Sequence, residues 1–160
     1  MLRFDKHSGI YSLHTEQKLN CSLEEAWLFF SDPKNLEVIT PDDLSFRITS
    51  TEIEEMFKGQ IITYRIGLFP GIFSNWVTEI TAVEKEQYFI DEQRFGPYSM
   101  WHHLHAFEVL EDGTVLMKDK VHFKPPLGVL GKLAYGLFIK KKLKGIFEFR
   151  FEKLEKLFNS

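Results

Sequence analysis

The chain has 160 residues, which suffices for one domain with a substantial hydrophobic core. Its formal net charge of −3 excludes a general basic field that would attract nucleic acid. The single cysteine, Cys21, excludes an internal disulfide and a multi-cysteine metal site. No signal-peptide pattern occurs, and no run of about 18 apolar residues predicts a transmembrane helix. We therefore expect residues 1–160 to form a single domain of a cytoplasmic protein.

The first part of the chain predicts a strand and then two short helices. Residues 11–19 alternate weakly between apolar and polar types, which indicates a strand. Ser22 and Glu25 have the spacing of a capping box, which predicts a helix over residues 23–30. A second short helix is predicted over residues 34–39. Two helices directly after the first strand are unusual in a chain that otherwise predicts mostly sheet.

Six further strands are predicted, and the connections between them are short. The pair Asp112-Gly113 between two alternating runs is a strong hairpin signal. Short connections force neighbouring strands to be antiparallel. The strands are predicted at residues 46–51, 60–68, 73–83, 88–94, 99–110 and 114–124. After them, residues 127–158 have helical spacing, and four glycines, Gly136 among them, favour a break or bend in that helix.

This order of elements predicts an α+β protein. The sheet should be antiparallel and strongly curved, with about seven strands, because so many strands rarely stay flat. The long C-terminal helix should cover the concave face, since it is the other large amphipathic element. Aromatic residues make up 15% of the chain, with 16 phenylalanines, so they can fill a thick core or line a large cavity.

Three predicted strands place ionisable side chains on faces that should be apolar. Taking every second residue, the first face is Phe89-Asp91-Gln93-Phe95, the second is Trp101-His103-His105-Phe107-Val109, and the third is Val115-Met117-Asp119-Val121-Phe123. Buried polar groups are costly unless they are paired. An antiparallel sheet that turns all three faces inward would gather Asp91, Gln93, His103, His105 and Asp119 on one concave surface. We interpret this set as a candidate site.

Five segments of the chain are distinctive sequence motifs. They are Tyr88–Gln93, Gly96–Tyr98, Trp101–Phe107, Asp119–Val121 and Ile146–Arg150. Together they resemble a bacterial, ligand-binding branch of the START-related SRPBCC superfamily, which includes polyketide cyclase/dehydrase-like and pollen-allergen-like proteins. The resemblance extends over essentially the whole chain. It implies the helix-grip fold and a hydrophobic cavity for a lipid, isoprenoid, polyketide or other apolar ligand, with no cofactor.

The leading functional prediction is non-catalytic binding of a small hydrophobic ligand, for transport or sequestration. The predicted lining is largely aromatic: Tyr64, Trp76, Phe89, Trp101, Phe107, Met117 and Phe123. The C-terminal helix would act as a lid over it. The end that orients the ligand would consist of Asp91, Gln93, His103, His105 and Asp119. For Asp91 and Gln93 the alternative, which is preferred, is that they satisfy the backbone at a strand end. The oligomeric state is left open.

The two histidines leave three roles open. His103 and His105 lie two residues apart, so both point to one side of a strand. Either could be the general base of a cyclase, dehydratase or hydrolase near neutral pH. With Asp119 or Asp91 they have the spacing of a metal site. The preferred interpretation is a buried network in which each carboxylate holds one histidine ring in place. Arg150 on the last helix either pairs with Asp91 or Asp119 or extends to solvent.

Two segments leave open a role as a membrane or protein interaction module. Residues 68–73 form an apolar connection that either contacts a membrane or folds inward. Residues 140–144 contain four lysines, which either meet anionic lipid or form a solvated helix face. The sequence therefore predicts at most weak contact with a membrane surface, and no nucleic-acid partner.

Overall fold

An antiparallel sheet forms most of the protein, which is described here by a computed structural model over residues 2–50, 55–69 and 71–160. Within these residues, eight strands pair in the spatial order β1-β2-β8-β7-β6-β5-β4-β3. The strands are β1 (Arg3–His7), β2 (Ile10–Leu19), β3 (Arg47–Ile48), β4 (Ile61–Phe69), β5 (Ile72–Glu84), β6 (Tyr88–Phe95), β7 (Met100–Val109) and β8 (Val115–Lys124). The predicted α+β class and the curved antiparallel sheet are confirmed.

Strand β1 is the element that the sequence pattern missed. It forms a hairpin with β2 through the turn Ser8-Gly9, whose φ angles are 49° and 81°. Such a left-handed turn suits glycine and joins two strands tightly. The described sheet therefore has eight strands rather than about seven, and the two short helices follow β2. Of the strand predicted at residues 46–51, only β3 is formed, and residues 51–54 lie outside the described part of the chain.

The described helices lie in two groups, one after β2 and one after β8. They are α1 (Leu23–Ser31), α2 (Lys34–Val38), α3 (Gly128–Ala134) and α4 (Lys140–Phe158), with a short 3-10 turn at Asp42–Leu44. The predicted capping box opens α1, because Ser22 Oγ accepts from the Glu25 N–H and the Glu25 carboxylate accepts from the Ser22 N–H. A π-helical turn at Tyr135–Ile139 joins α3 to α4. Gly136 lies in this turn, so the helix is irregular where its glycines predicted a break.

None of the helices in the described part of the chain has both the length and the apolar character that crossing a membrane needs.

Helix α4 lies across the concave face of the sheet, as the helix-grip arrangement predicts. Four of its residues are buried and recur at helical spacing on one side: Leu143, Phe147, Arg150 and Leu154. Leu154 packs into a cluster with Phe107 of β7, whereas Phe147 packs with Phe123 of β8. The helix is therefore held over the centre of the sheet by apolar contacts along most of its length.

Helix α1 closes one end of the sheet. The indole ring of Trp27 meets the rings of Phe89 and Phe107 edge-on, at centroid distances of 6.1 and 5.9 Å. Edge-to-face packing at these distances is favourable for aromatic pairs. The contact covers the ends of β6 and β7. Other side chains line the space between α2 and α4.

The predicted inward faces of β6 and β7 are correct in the middle and wrong at one end of each. Gln93 and Phe95 pair with adjacent residues of β5, so that Arg94 is an extra residue on β6. This bulge shifts the alternation by one residue, and Phe95 is exposed. Val109, the last residue of β7, is exposed too. Both residues were predicted to face inward.

Candidate functional site

A cavity of about 190 Å³ lies between the concave face of the sheet, α4 and the segment around α2. Most of its lining is apolar. Representative lining residues are Phe30, Leu36, Ile62, Tyr64, Trp76 and Leu143. Tyr64 does not bring a free hydroxyl, since its oxygen is hydrogen-bonded to Thr78. The chain thus encloses a space that favours apolar groups over water.

The polar wall of this cavity is built by strand register. Asp91 on β6 pairs with His103 on β7, and His105 on β7 pairs with Asp119 on β8. Directly opposite residues have neighbouring side chains on the same face of the sheet. The three alternating faces therefore meet in one buried cluster, which was predicted from the sequence. Asp91, His103 and His105 line the cavity.

In this cluster, each imidazole ring lies between two carboxylates. His105 Nε2 is 2.9 Å from Asp91 Oδ2, and its Nδ1 is 3.0 Å from Asp119 Oδ1 without the alignment of a hydrogen bond. His103 Nε2 is 2.9 Å from Asp119 Oδ1, and its Nδ1 is 3.5 Å from Asp91 Oδ2. Phe89 stacks on His105 with a centroid distance of 4.2 Å. The rings are therefore fixed on several sides.

Arg150 completes the cluster from α4. Its Nη1 is 3.5 Å from Asp119 Oδ2, and its guanidinium lies over the ring of Phe147, 5.1 Å from the centroid. Thr15 on β2 also donates to Asp119, at 3.4 Å. Of the partners that were left open for Arg150, the structure selects Asp119. This buried ion pair connects the helix to the sheet.

Charge balance assigns the protons of the cluster. Two carboxylates and the Arg150 guanidinium leave one negative charge, which a single imidazolium neutralises. Burial lowers the pKa of His103, and the neighbouring His105 lowers it further. Burial also opposes the charge on His105, but the carboxylates of Asp119 and Asp91 outweigh it and raise the pKa of that ring. We therefore assign the imidazolium to His105 and the neutral ring to His103.

Both carboxylates remain ionised in this arrangement. Burial alone would raise the pKa of Asp119, but Arg150 and the two histidines hold it well below its ordinary value. Burial would also raise the pKa of Asp91, but His103 and His105 lower it below its ordinary value. Each charge in the cluster is thus matched by an opposite charge in direct contact.

The cluster has two chemical capacities beyond holding the sheet together. A neutral His103 that donates Nε2–H to Asp119 keeps a lone pair on Nδ1, on the side of Asp91 and the cavity. Asp91, His103 and His105 also each offer one possible metal-ligand atom, and these atoms lie within 4.8 Å of one another. Two histidines and one carboxylate are a common ligand set for Zn²⁺ and Fe²⁺.

Not all residues predicted for the site line the cavity. Those that do are Tyr64, Trp76, Phe89, Asp91, Trp101, His103 and His105. Gln93 instead binds the Tyr98 backbone, accepting from its N–H and donating to its carbonyl oxygen at 2.6 Å. Phe107 packs against Trp27 in the core, and Phe123 packs in the cluster that contains Phe147.

Met117 and Asp119 lie on the side of α4 that faces away from the cavity. They line a second pocket of about 520 Å³, between α4 and strands β2 and β8. Arg150 and Phe147 line both spaces. The buried cluster therefore separates the two pockets, with the carboxylate of Asp91 on one side and that of Asp119 on the other.

Several lining residues were not predicted from the sequence. Tyr98 comes from the connection between β6 and β7, where no periodic pattern marks a buried residue. Leu36 comes from α2, which is too short for a clear stripe. Arg150 differs from these two, because it was named from the sequence as a possible partner of Asp91 or Asp119, and it shares one helical face with Leu143, Phe147 and Leu154.

Comparison with known proteins rests on structure. No protein-family model and no curated protein matches the sequence. A START superfamily protein from Mycobacterium smegmatis is 12% identical over 91% of this chain and 98% of that chain, with a TM-score of 0.64. A protein from Thermus thermophilus is 15% identical over 91% and 94%, with a TM-score of 0.67. Ara h 8.0201 is 18% identical over 92% and 99%, with a TM-score of 0.58. At such low identity the likeness is one of fold.

Proposed function

Because the chain has the helix-grip fold of the START-related superfamily, we propose that it binds a small hydrophobic ligand in the cavity beneath α4. The observation that carries this proposal is the combination of an apolar cavity with one polar wall. The wall offers ionised and hydrogen-bonding groups at Asp91, His103 and His105, and the rest of the lining is largely apolar. Sites for small ligands commonly combine an apolar lining with a few polar groups that fix orientation.

The volume of the cavity limits what it holds in this conformation. An apolar cavity of about 150 Å³ accommodates a molecule of the size of benzene, and drug-sized pockets begin at roughly 300 Å³. At about 190 Å³, the cavity fits a small cyclic molecule or one part of a longer one. A lipid, isoprenoid or polyketide of full length requires that α4 or the segment around α2 moves outward.

Trp76 indicates the kind of polar atom that the ligand carries. Its indole Nε1 is buried and has no hydrogen-bond partner among the described residues, although the side chain lines the cavity. A buried donor without a partner costs about 1–3 kcal/mol. A carbonyl or hydroxyl oxygen on the ligand would satisfy this N–H, and a purely hydrocarbon ligand would not.

A neutral, apolar fluorescent probe, N-phenyl-1-naphthylamine, tests the proposal. We expect saturable binding by the wild type and at least about tenfold weaker binding by Leu36→Trp, because the larger ring fills the cavity. Leu28→Ala is the matched control, since Leu28 is exposed on α1 and does not line the cavity. Absence of saturable binding by the wild type, together with no ligand in native mass spectra, would contradict the proposal.

A second candidate function is acid–base catalysis on the bound ligand. It is favoured by one observation, that the neutral ring of His103 lines the cavity while Asp119 holds its Nε2. This is the geometry of an oriented general base. Loss of turnover of a bound ligand in His103→Gln, with turnover kept in His102→Gln, would support this function. His102 is the control because it pairs with Glu92. Equal turnover in the two variants would exclude His103 as the base.

A further inference from the structure

One end of the protein exposes many large apolar side chains. We call this surface the apolar end, and it consists of Phe73, Leu127, Val129, Leu130, Leu133 and Leu137. Their exposed fractions lie between 46% and 78%. Single exposed apolar residues are normal in water, but a group of this size marks a contact surface. The predicted connection at residues 68–73 belongs to this end; Pro70 lies outside the described residues, and Ile72 and Phe73 are exposed rather than folded inward.

Sheet topology brings these residues to the same end. In an antiparallel sheet with this strand order, the β4–β5 connection, the β6–β7 connection and the end of β8 all lie at the same end of the strands. Helix α3 starts directly after β8, with Gly131 packed against the Pro126 backbone. Lys142 at the start of α4 donates to the carbonyl oxygens of Gly67, at 3.2 Å, and Leu68. The start of α4 is thus attached to the end of β4.

Helix α3 leaves most of its described apolar side-chain surface exposed. Among its residues whose burial is described, only Gly131 is buried, while Val129, Leu130 and Leu133 are exposed. A helix in a soluble protein normally turns its apolar stripe toward the core. Here the leucines point away from the core, so that the structure leaves their apolar surface for something outside the chain.

Positive charge lies next to this apolar surface. Lys140, Lys141 and Lys144 are exposed on the first turns of α4, directly after the π-helical turn that carries Leu137. An apolar face with neighbouring lysines is typical of helices that lie in the surface of an anionic bilayer. A two-fold contact between copies of this chain is another possible occupant of an apolar surface, and the experiment below distinguishes it from a bilayer.

We infer that the apolar end binds the surface of an anionic lipid bilayer. The exposed leucines of α3 enter the boundary between headgroups and acyl chains, and Lys140, Lys141 and Lys144 contact the phosphates. Lys142 and Leu68 line the cavity as well as this end, so docking places one side of the cavity against the bilayer. This inference concerns the outer surface and does not depend on what the cavity binds.

Vesicle co-sedimentation tests the inference with the full chain. We expect the wild type to bind phosphatidylcholine vesicles containing about one third phosphatidylglycerol more tightly than pure phosphatidylcholine vesicles. Raising the NaCl concentration from about 50 to about 500 mM should weaken binding, because salt screens the lysines. Equal binding to both kinds of vesicle, or no dependence on salt, would overturn the role of the lysines and with it the inference.

Two double variants separate the apolar and ionic contributions. Leu130→Ser with Leu133→Ser should weaken binding about tenfold or more on both vesicle types. Lys141→Gln with Lys144→Gln should weaken binding about tenfold or more on anionic vesicles alone. All four side chains are exposed, so the melting temperatures should stay near that of the wild type.

Matched controls lie at the opposite end of the sheet. Leu28 on α1 is 61% exposed, and Lys156 on the last turns of α4 is exposed. Leu28→Ser and Lys156→Gln should bind vesicles as the wild type does. A wild type that does not bind vesicles, or a Leu130→Ser/Leu133→Ser variant that only turns a dimer into a monomer, would overturn the inference. Probe binding in the cavity is measured separately and should be unchanged in these variants.

Discussion

The imidazole rings of His103 and His105 lie face to face at a tilt of 36°, with 3.7 Å between their centroids. Two rings this close cannot both carry a charge at low cost, so the pair carries a single positive charge at neutral pH. Asp91 and Asp119 lie at opposite ends of the pair. The cluster is thus a compact, charge-balanced unit whose behaviour with pH and mutation follows from its contacts.

His105 should make stability depend on pH. Its folded-state pKa is raised above the ordinary 6.5. The stabilisation that charged His105 contributes is therefore fully present below about pH 6.5. It is lost as the pH rises through the raised pKa of His105 in the folded state. We expect the difference in unfolding free energy between wild type and His105→Gln to shrink from pH 6 to pH 9, measured by urea denaturation. A difference that grows with pH would contradict the assignment of the imidazolium.

Asp119→Asn should destabilise the protein strongly. The substitution keeps the shape but removes the charge that faces both histidines and Arg150. Leaving buried cations without a partner costs about 3–5 kcal/mol. Glu108→Gln is the isosteric control, since the Glu108–Lys118 pair at 2.5 Å is largely exposed and should contribute less than about 1 kcal/mol. Adding Arg150→Met to Asp119→Asn should recover part of the loss, and strict additivity would argue against the pair.

The cluster should not require a divalent metal ion. With His105 charged, the cluster is already electrically neutral, and Asp91 already contacts His105 Nε2 at 2.9 Å. We expect the thermal midpoint to be unchanged by EDTA and by equimolar Zn²⁺. A rise in the midpoint with Zn²⁺ that disappears in His103→Gln would instead identify Asp91, His103 and His105 as metal ligands.

The alternation of residue types predicted the buried cluster because β6, β7 and β8 are regular in their middle parts. Asp91, His103, His105 and Asp119 each follow a period of two, and antiparallel pairing brings them together without further information. Arg150 follows the helical period in the same way. Where the backbone is regular, sequence spacing is a sufficient guide to which side chains meet.

The parts that could not be predicted depend on irregular backbone or on tertiary packing. The bulge at Arg94 has no mark in the sequence, and it moves Phe95 out of the inward face. The path of α4 decides which inward residues face which pocket, so that Met117 and Asp119 lie apart from Trp76. Spacing along a strand says that a residue points inward, but the packing of another element decides what it meets.

Two glycines near the start of the C-terminal helix should respond in opposite ways to alanine. A methyl group on Gly131 would lie 1.9 Å from the Pro126 carbonyl oxygen, which is a backbone atom that cannot move freely. A methyl group on Gly136, in the π-helical turn, meets nothing within 4 Å. Gly136→Ala should therefore stabilise the protein by about 0.4–1 kcal/mol, because the unfolded chain loses freedom.

Gly131→Ala should destabilise the protein by about 1–3 kcal/mol, since α3 must shift away from the end of β8 to relieve the contact. Urea denaturation measures both changes, and each variant serves as the control for the other because both add the same methyl group. If Gly131 fixes the position of α3, Gly131→Ala should also weaken vesicle binding while Gly136→Ala leaves it unchanged. Equal effects of the two variants on stability would show that the close approach of Gly131 to Pro126 does not hold α3 in place.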